Sequence, residues 1–249
     1  MFGFTLIFSL VLCVIVNSIV TDNIPQLSEA TEEEYQEWFN DMKTTLPRQE
    51  GSHFDGNINE KQAKLYMKYV RDPSVKTVCE VGFFQGVSAH LWLFSNPKIK
   101  LYSFELHLKE KPKKHLDKHF PGRLEVAVGH SSETLRDFNP PTQCDIVSID
   151  GSHDNWDPRD DFLLIQNHTH CDTLVLFDDT FFSDKMYDVN NNPKSPDFFN
   201  PCTASYWSLV YNDHLSHDYC IKLGSDGHWP KGYCSAKNVK GKCKPRVVV

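Results

Sequence analysis

CEVGFFQGVSA, running from Cys79 to Ala89, decides the fold. Its apolar β-type residues stop at Glu80-Val81, a turn bounded by Gly82 and Gly86 follows, and the chain passes straight into helix-forming residues. Two later stretches end in the same way. DIVSIDGSH (Asp145 to His153) and TLVLFDDT (Thr173 to Thr180) are apolar runs that stop in acid or glycine. In an open parallel sheet the carboxyl ends of the strands line the ligand crevice, so three such endings converge on one place. Glu80, Asp150, Asp178 and Asp179, with His153, are therefore a candidate active site distributed along the chain.

Outward from these stretches the pattern alternates. Strands are expected at Thr77 to Val81, Lys100 to Phe104, Arg123 to Val128, Asp145 to Ile149 and Thr173 to Phe177. Helices fall between them at Ser88 to Phe94, Lys111 to His119, Ser132 to Asp137 and Pro158 to Gln166. This alternation predicts an α/β fold with a doubly wound, mostly parallel sheet. Upstream, Tyr35, Trp38 and Phe39 share one helical face, and Glu60 to Val70 reads as a helix with Ala63, Tyr66, Met67 and Val70 apolar. Beyond Asp179 the rhythm stops: Phe181 to Pro201 reads as a long loop over the site. A helix at Ala204 to Asn212 and an antiparallel pair of final strands, near Tyr219 to Leu223 and Gly232 to Ala236, complete the chain.

The 249 residues, 40% of them hydrophobic, suffice for one sizeable α/β domain, expected over 57–249 after an N-terminal extension at 21–56. A net charge of -7 and a pI near 5.9 give no basis for a nucleic-acid partner. The basic run from Lys231 to Arg246 reads as a solvated tail. Leu6 to Val16 is apolar except for Ser9 and precedes small residues, so residues 1–20 read as a signal peptide, although the positive n-region is missing. Phe2 to Val20 is also long enough to be an uncleaved anchor, the one way in which a membrane enters. The address is the secretory pathway, as a secreted or lumenal protein. There Asn167-His168-Thr169 is a glycosylation sequon.

Eight cysteines suit that compartment. Cys13 leaves with the signal, and Cys79 and Cys144, beside core strands, read as free thiols packed as small hydrophobes. Two disulfides are expected among Cys202, Cys220, Cys234 and Cys243, with Cys202 to Cys220 and Cys234 to Cys243 the first choice of three pairings. No CxxC pair supports a zinc site.

The glycines of the first turn let backbone pass close to a ligand, and the helix that follows offers free N–H groups to an anionic cofactor. Their spacing is not the dinucleotide fingerprint, which needs three glycines, so an NAD-dependent oxidoreductase is disfavoured. Glu105 ends the second strand, where an acid accepts hydrogen bonds from ribose hydroxyls. Asp150, Asp178 and Asp179 would repel one another unless a divalent cation compensates, and oxygen ligands favour Mg²⁺, Mn²⁺ or Ca²⁺. His153, three residues past Asp150, is placed to take a proton from a hydroxyl that the cation acidifies. Of the 12 histidines, His107, His115, His119 and His130 have weaker claims.

Glu80-Val81-Gly82 followed by Gly86-Val87-Ser88-Ala89 resembles the first motif of class I S-adenosylmethionine-dependent methyltransferases, in the form used by catechol O-methyltransferase. Asp150 and Asp178-Asp179 fall where that family holds Mg²⁺. The IDGSH sequence looks more like the bacterial O-methyltransferases of macrolide sugars, whose proposed base is a histidine three residues past the first metal acid. The resemblance covers roughly Glu60 to Thr180. It implies a Rossmann-like methyltransferase fold, with Gly82, Phe83 and Ser88 on the methionine carboxylate, Glu105 on the ribose, and Ser131 and Ser132 near adenine. Glu80, Gly86 and Asp150 are counted with the same cofactor site. Two departures stand out: His130 where relatives often carry Asp or a small residue, and Asp179 where the catechol enzyme has Asn.

The function expected is Mg²⁺-dependent O-methylation of a sugar, glycan or small phenolic hydroxyl in the secretory pathway. The alternative is a secreted binding protein that kept the fold and lost turnover, since S-adenosylmethionine is made in the cytosol. Substrate choice would fall to the aromatic residues Phe181, Phe182, Tyr187, Phe198, Phe199, Tyr206 and Trp207.

Overall fold

The computed structural model describes residues 28–46, 58–180, 201–225, 230–239 and 243–246, with backbone alone at 222–231. The signal segment, residues 21–27 and 47–56 of the extension, and residues 181–200 of the loop expected over the site lie outside the described residues. Among the described residues no helix is long and apolar enough to cross a membrane.

Helix α1 (Glu32–Thr45) starts at a capping box in which Thr31 and Glu34 satisfy each other's backbone N–H groups. Its aromatic face buries Tyr35, Trp38 and Met42. Helix α2 (Glu60–Val70) is capped by Asn59. Lys64 to Glu32 at 2.6 Å and Arg71 to Glu34 at 2.8 Å join the two helices along their exposed sides. The expected alternation then follows as β1 (Thr77–Val81), α3 (Val87–Ser95), β2 (Lys100–Glu105), α4 (Glu110–His119), β3 (Leu124–Val128), α5 (Ser131–Asp137), β4 (Cys144–Ile149), α6 (Asp157–Ile165) and β5 (Thr169–Phe177). Helix α7 (Pro201–Tyr211) and strands β6 (Leu215–Ser225) and β7 (Pro230–Asn238) end the fold.

The sheet has seven strands in the order β3-β2-β1-β4-β5-β7-β6. The first five are parallel, and β7 runs antiparallel to both β5 and β6. All residues of β1 and β4 are buried, as the two covered faces of a parallel sheet require. Alternate strand residues feed two cores. Val78, Leu101, Ile146 and Leu176 pack with α1 to α4, whereas Cys79, Tyr102, Val147 and Val175 pack with α5 to α7.

The cysteine pairing differs from the first choice, although Cys220 with Cys234 belongs to one of the three pairings left open. Cys79 and Cys144 are bonded to each other across β1 and β4, with Cα atoms 5.9 Å apart. Cys220 faces Cys234 directly across the β6-β7 pair, and Cys171 joins Cys243, leaving Cys202 as a buried free thiol. The antiparallel register of β6 and β7 sets Cys220 opposite Cys234. The basic C-terminal run is not a solvated tail where it is described. Its first part is β7, inside the sheet, and its last residues are clamped at the opposite end of the strands from the candidate site. There Cys171 N–H donates to Lys244 O at 3.0 Å, and Arg246 donates to Asp145, which also takes Lys76 and Thr77 N–H groups at 2.7 and 2.9 Å. Burial works to raise the Asp145 pKa, but bonds from His170 and these N–H groups, with the Arg246 charge, hold it below its ordinary value.

Candidate functional site

The cleft opens where the sheet's strand order requires it, over the carboxyl ends of β1, β2, β4 and β5, with a volume of ≈ 790 Å³. At the end of β1 the backbone of Gly82 adopts φ +100°, and an added Cβ would lie 2.1 Å from the carbonyl oxygen of Asp150. Only glycine lets the β1 turn approach β4 this closely. Gly86, at φ +75°, begins α3 and packs on Leu116 and Phe83.

Glu105 is tied to the same turn. One carboxylate oxygen accepts the Phe83 and Phe84 N–H groups at 3.0 and 2.7 Å, and the other accepts His107 N–H at 2.9 Å. Its acceptor capacity is about four bonds, so it retains room for a further donor in the cleft. Glu80 lies beneath the turn and does not line the cleft. It accepts from Trp92 Nε1 at 3.1 Å and Ser103 Oγ at 2.9 Å, with Ser88 also bonded to it. Burial pushes its carboxyl up to about 7, against those three hydrogen bonds.

Phe83, Ser88, Ser131, Asp150 and His153 line the cleft with Gly82, Glu105, Asp178 and Asp179; Gly86 and Ser132 do not. His130 explains its own departure from the family pattern. Its Nδ1 accepts the Ser132 N–H at 3.3 Å and pairs with Ser132 Oγ at 2.9 Å, so it caps α5 as an Asp or Ser commonly does.

The acids gather in the same cleft. His153 Nε2 is 3.6 Å from Asp150 and its Nδ1 is 3.4 Å from Asp179, and the three residues bring ligand atoms within 4.8 Å of one another. The Asp150 hydrogen bond and the neighbouring carboxylate charges raise the His153 pKa despite its burial. Asp178 is more deeply placed. Its two oxygens accept Asp179 N–H at 2.9 Å and Gln62 Nε2 at 2.8 Å. Burial, then the charges of Asp150 and Asp179, pushes its carboxyl well above the ordinary range. Such crowding fits a hard divalent cation, which the two carboxylates facing His153 have the donor chemistry to bind. Burial and the same three acids push the Cys202 thiol up, so it is inert.

Three participants escaped the sequence reading. Gln62 bridges Asp178 and the Tyr66 hydroxyl, and its signal was a polar residue beside the apolar stripe of α2. Leu106 is 51% exposed and lines the cleft next to Glu105, an apolar side chain beside the acid. Phe84, at φ 43°, lies beneath the Lys109 ammonium at 3.7 Å on the cleft rim.

Residues 79–180 match a family model described as a methyltransferase domain. A search of curated proteins finds no significant match. Solved structures share the fold at low identity. TomG from Streptomyces achromogenes, an O-methyltransferase of tomaymycin synthesis solved with S-adenosylmethionine, is 16% identical over 92% of this chain and 96% of that one, with a TM-score of 0.61. The Bacillus cereus O-methyltransferase bound to S-adenosylhomocysteine is 14% identical, covering 90% and 97% with a TM-score of 0.59. For the Podospora anserina methyltransferase PaMTH1, also bound to S-adenosylhomocysteine, the values are 16%, 96% and 98%, and 0.55.

Proposed function

We propose, from the premise that residues 79–180 match a methyltransferase-domain model, that the chain is an S-adenosylmethionine-dependent O-methyltransferase that uses a divalent cation. The observation that carries this is a single cleft that joins the Gly82 turn and Glu105 to Asp150, His153 and Asp179. S-adenosylmethionine supplies a sulfonium methyl group to an acceptor oxygen. Glu105 accepts from its ribose while holding the turn, Leu106 and Ser131 flank its adenine, and Ser88 and the turn take its carboxylate end. Asp150 and Asp179 are the residues that would hold Mg²⁺ or Mn²⁺, whose chemistry is to acidify a coordinated hydroxyl. His153 takes the acceptor's proton, and the raised basicity that the acids give it favours the transfer.

A second reading has His153 complete the cation's ligand set, because it offers a ring nitrogen in one group with Asp150 and Asp179, all ligand atoms within 4.8 Å of one another. The acceptor class we favour is a sugar or glycan hydroxyl, with a small phenol second. Secretion or lumenal residence is supported by three disulfides and by Asn167, which is exposed within its sequon. Isothermal titration of the full chain with S-adenosylhomocysteine, with and without Mg²⁺, tests the reading. Binding is expected, along with cation-dependent transfer to a hydroxyl acceptor that EDTA abolishes. A folded chain that binds neither cofactor nor cation is the turnover-free binding protein instead.

A further inference from the structure

A second group of metal-type ligands lies away from the cleft, on the face of the sheet covered by α1 to α4. Asp41 comes from the last turn of α1, His90 from the middle of α3 and His119 from the end of α4. Helix packing brings residues 49 and 78 positions apart onto one atom: His90 Nε2 lies 3.0 Å and His119 Nε2 2.9 Å from Asp41 Oδ2. The three offer ligand atoms within 4.8 Å of one another, and none of them lines the cleft.

We propose that Asp41, His90 and His119 form a binding site for a divalent first-row transition ion of the Zn²⁺ type, built between α1, α3 and α4. The donor set is two imidazole nitrogens and a carboxylate, which suits zinc-type ions, in contrast to the oxygen-rich cleft. Spacing agrees as well. Ligands about 2.0–2.1 Å from a tetrahedral ion stand roughly 3.3 Å from one another, a few tenths of an ångström more than the 3.0 and 2.9 Å that separate the two imidazoles from Asp41 Oδ2. His90 is fully buried, and its Nδ1 has no hydrogen-bond partner, so Nε2 is its only polar anchor and points into the group. Trp38, Phe94 and Phe120 ring the His90 imidazole. This apolar wall holds the ligand rigid and keeps competing water away. The side chains of Asp41 and His119 are 29% and 39% exposed, which gives the ion a route in and leaves a fourth position for solvent. A bound ion would staple the N-terminal helix to the methyltransferase domain, since α1 lies outside residues 79–180.

The test uses the full chain without a histidine tag, carrying Asp150→Asn and Asp179→Asn so that the cleft acids cannot answer for the site. Zn²⁺ and Co²⁺ are the probes. One equivalent of Zn²⁺ should bind, Co²⁺ should give the visible band of a tetrahedral centre, and Zn²⁺ should raise the melting temperature. Adding His119→Ala, at a position exposed enough to tolerate it, should abolish the Co²⁺ band. It should also weaken Zn²⁺ by more than the roughly 10- to 100-fold lost with a mere supporting partner. Asp41→Asn provides an independent second variant, and near-UV circular dichroism checks that each folds. Zn²⁺ affinity unchanged by both substitutions would overturn the proposal. So would a parent that binds no Zn²⁺ yet is destabilised by His119→Ala, which leaves Asp41 a hydrogen-bond clamp between two imidazoles. Neither outcome bears on methyl transfer, which is assayed in the unsubstituted chain.

Discussion

His153 lines the cleft and Glu80 lies beneath the Gly82 turn, and their surroundings assign them different work. His153 touches two carboxylates at the cleft surface, so His153→Ala should leave cofactor affinity nearly intact and lower kcat by roughly 10²- to 10⁴-fold if it is the base. Loss of cation binding in that variant would make it a ligand, and near wild-type turnover would remove it from the chemistry. Glu80 is a buried strut under the turn, its pKa raised from 4.5 to about 7. Ionising it costs more in the folded chain than in the unfolded one. Its contribution to stability is therefore complete below about pH 4.5 and is lost as pH rises through about 7, with a span of about 3 kcal/mol at about 1.36 kcal/mol per pKa unit. Glu80→Gln keeps the shape without the charge. Urea unfolding of both proteins across that window should show their stability difference changing with pH, and parallel curves would mean that Glu80 does not titrate there.

The turn between β1 and α3 is the element on which the cleft depends. Gly82→Ala combines a positive φ, costing about 1–3 kcal/mol, with a Cβ driven onto the backbone of Asp150, costing about 1–3 kcal/mol more. The variant should be measurably less stable by thermal unfolding and should lose cofactor binding even where it folds. A variant of native stability would mean that β1 and β4 separate without cost. The element boundaries were largely legible: β1 was expected and found at Thr77 to Val81, because alternating patterns and the Asp72-Pro73 and Gly82 stops mark both ends. β5 was expected from Thr173 and starts at Thr169. Its early residues are polar, and only the parallel neighbour β4 and the clamped C-terminal residues recruit them into the strand.

The C-terminal clamp belongs to the whole molecule. Cys171 and Cys243 lie 72 positions apart, so the chain-entropy relation gives their bond about 4 kcal/mol. Replacing both with Ser should lower Tm by roughly 8–16 °C, at about 2–4 °C per kcal/mol for a chain of this size. Cofactor binding at 25 °C should persist, because the clamp and the cleft occupy opposite ends of the strands. An unchanged Tm would mean that Arg246 and Asp145 suffice to hold the chain end.

Periodicity and punctuation in the sequence determined the alternating α/β fold, the strand ends that carry Glu105, Asp150, Asp178 and Asp179, and the acid-rich chemistry of the cleft. These are local properties, since each strand and turn signals itself within about ten residues. Tertiary structure alone decided which side chains share a partner. It put Gln62 on Asp178, turned Glu80 inward, made a helix cap of His130, paired cysteines by strand order rather than by nearness along the chain, and gathered Asp41, His90 and His119 from three helices. Contacts of that kind depend on sheet order and helix packing, and no local pattern encodes which distant residue will arrive.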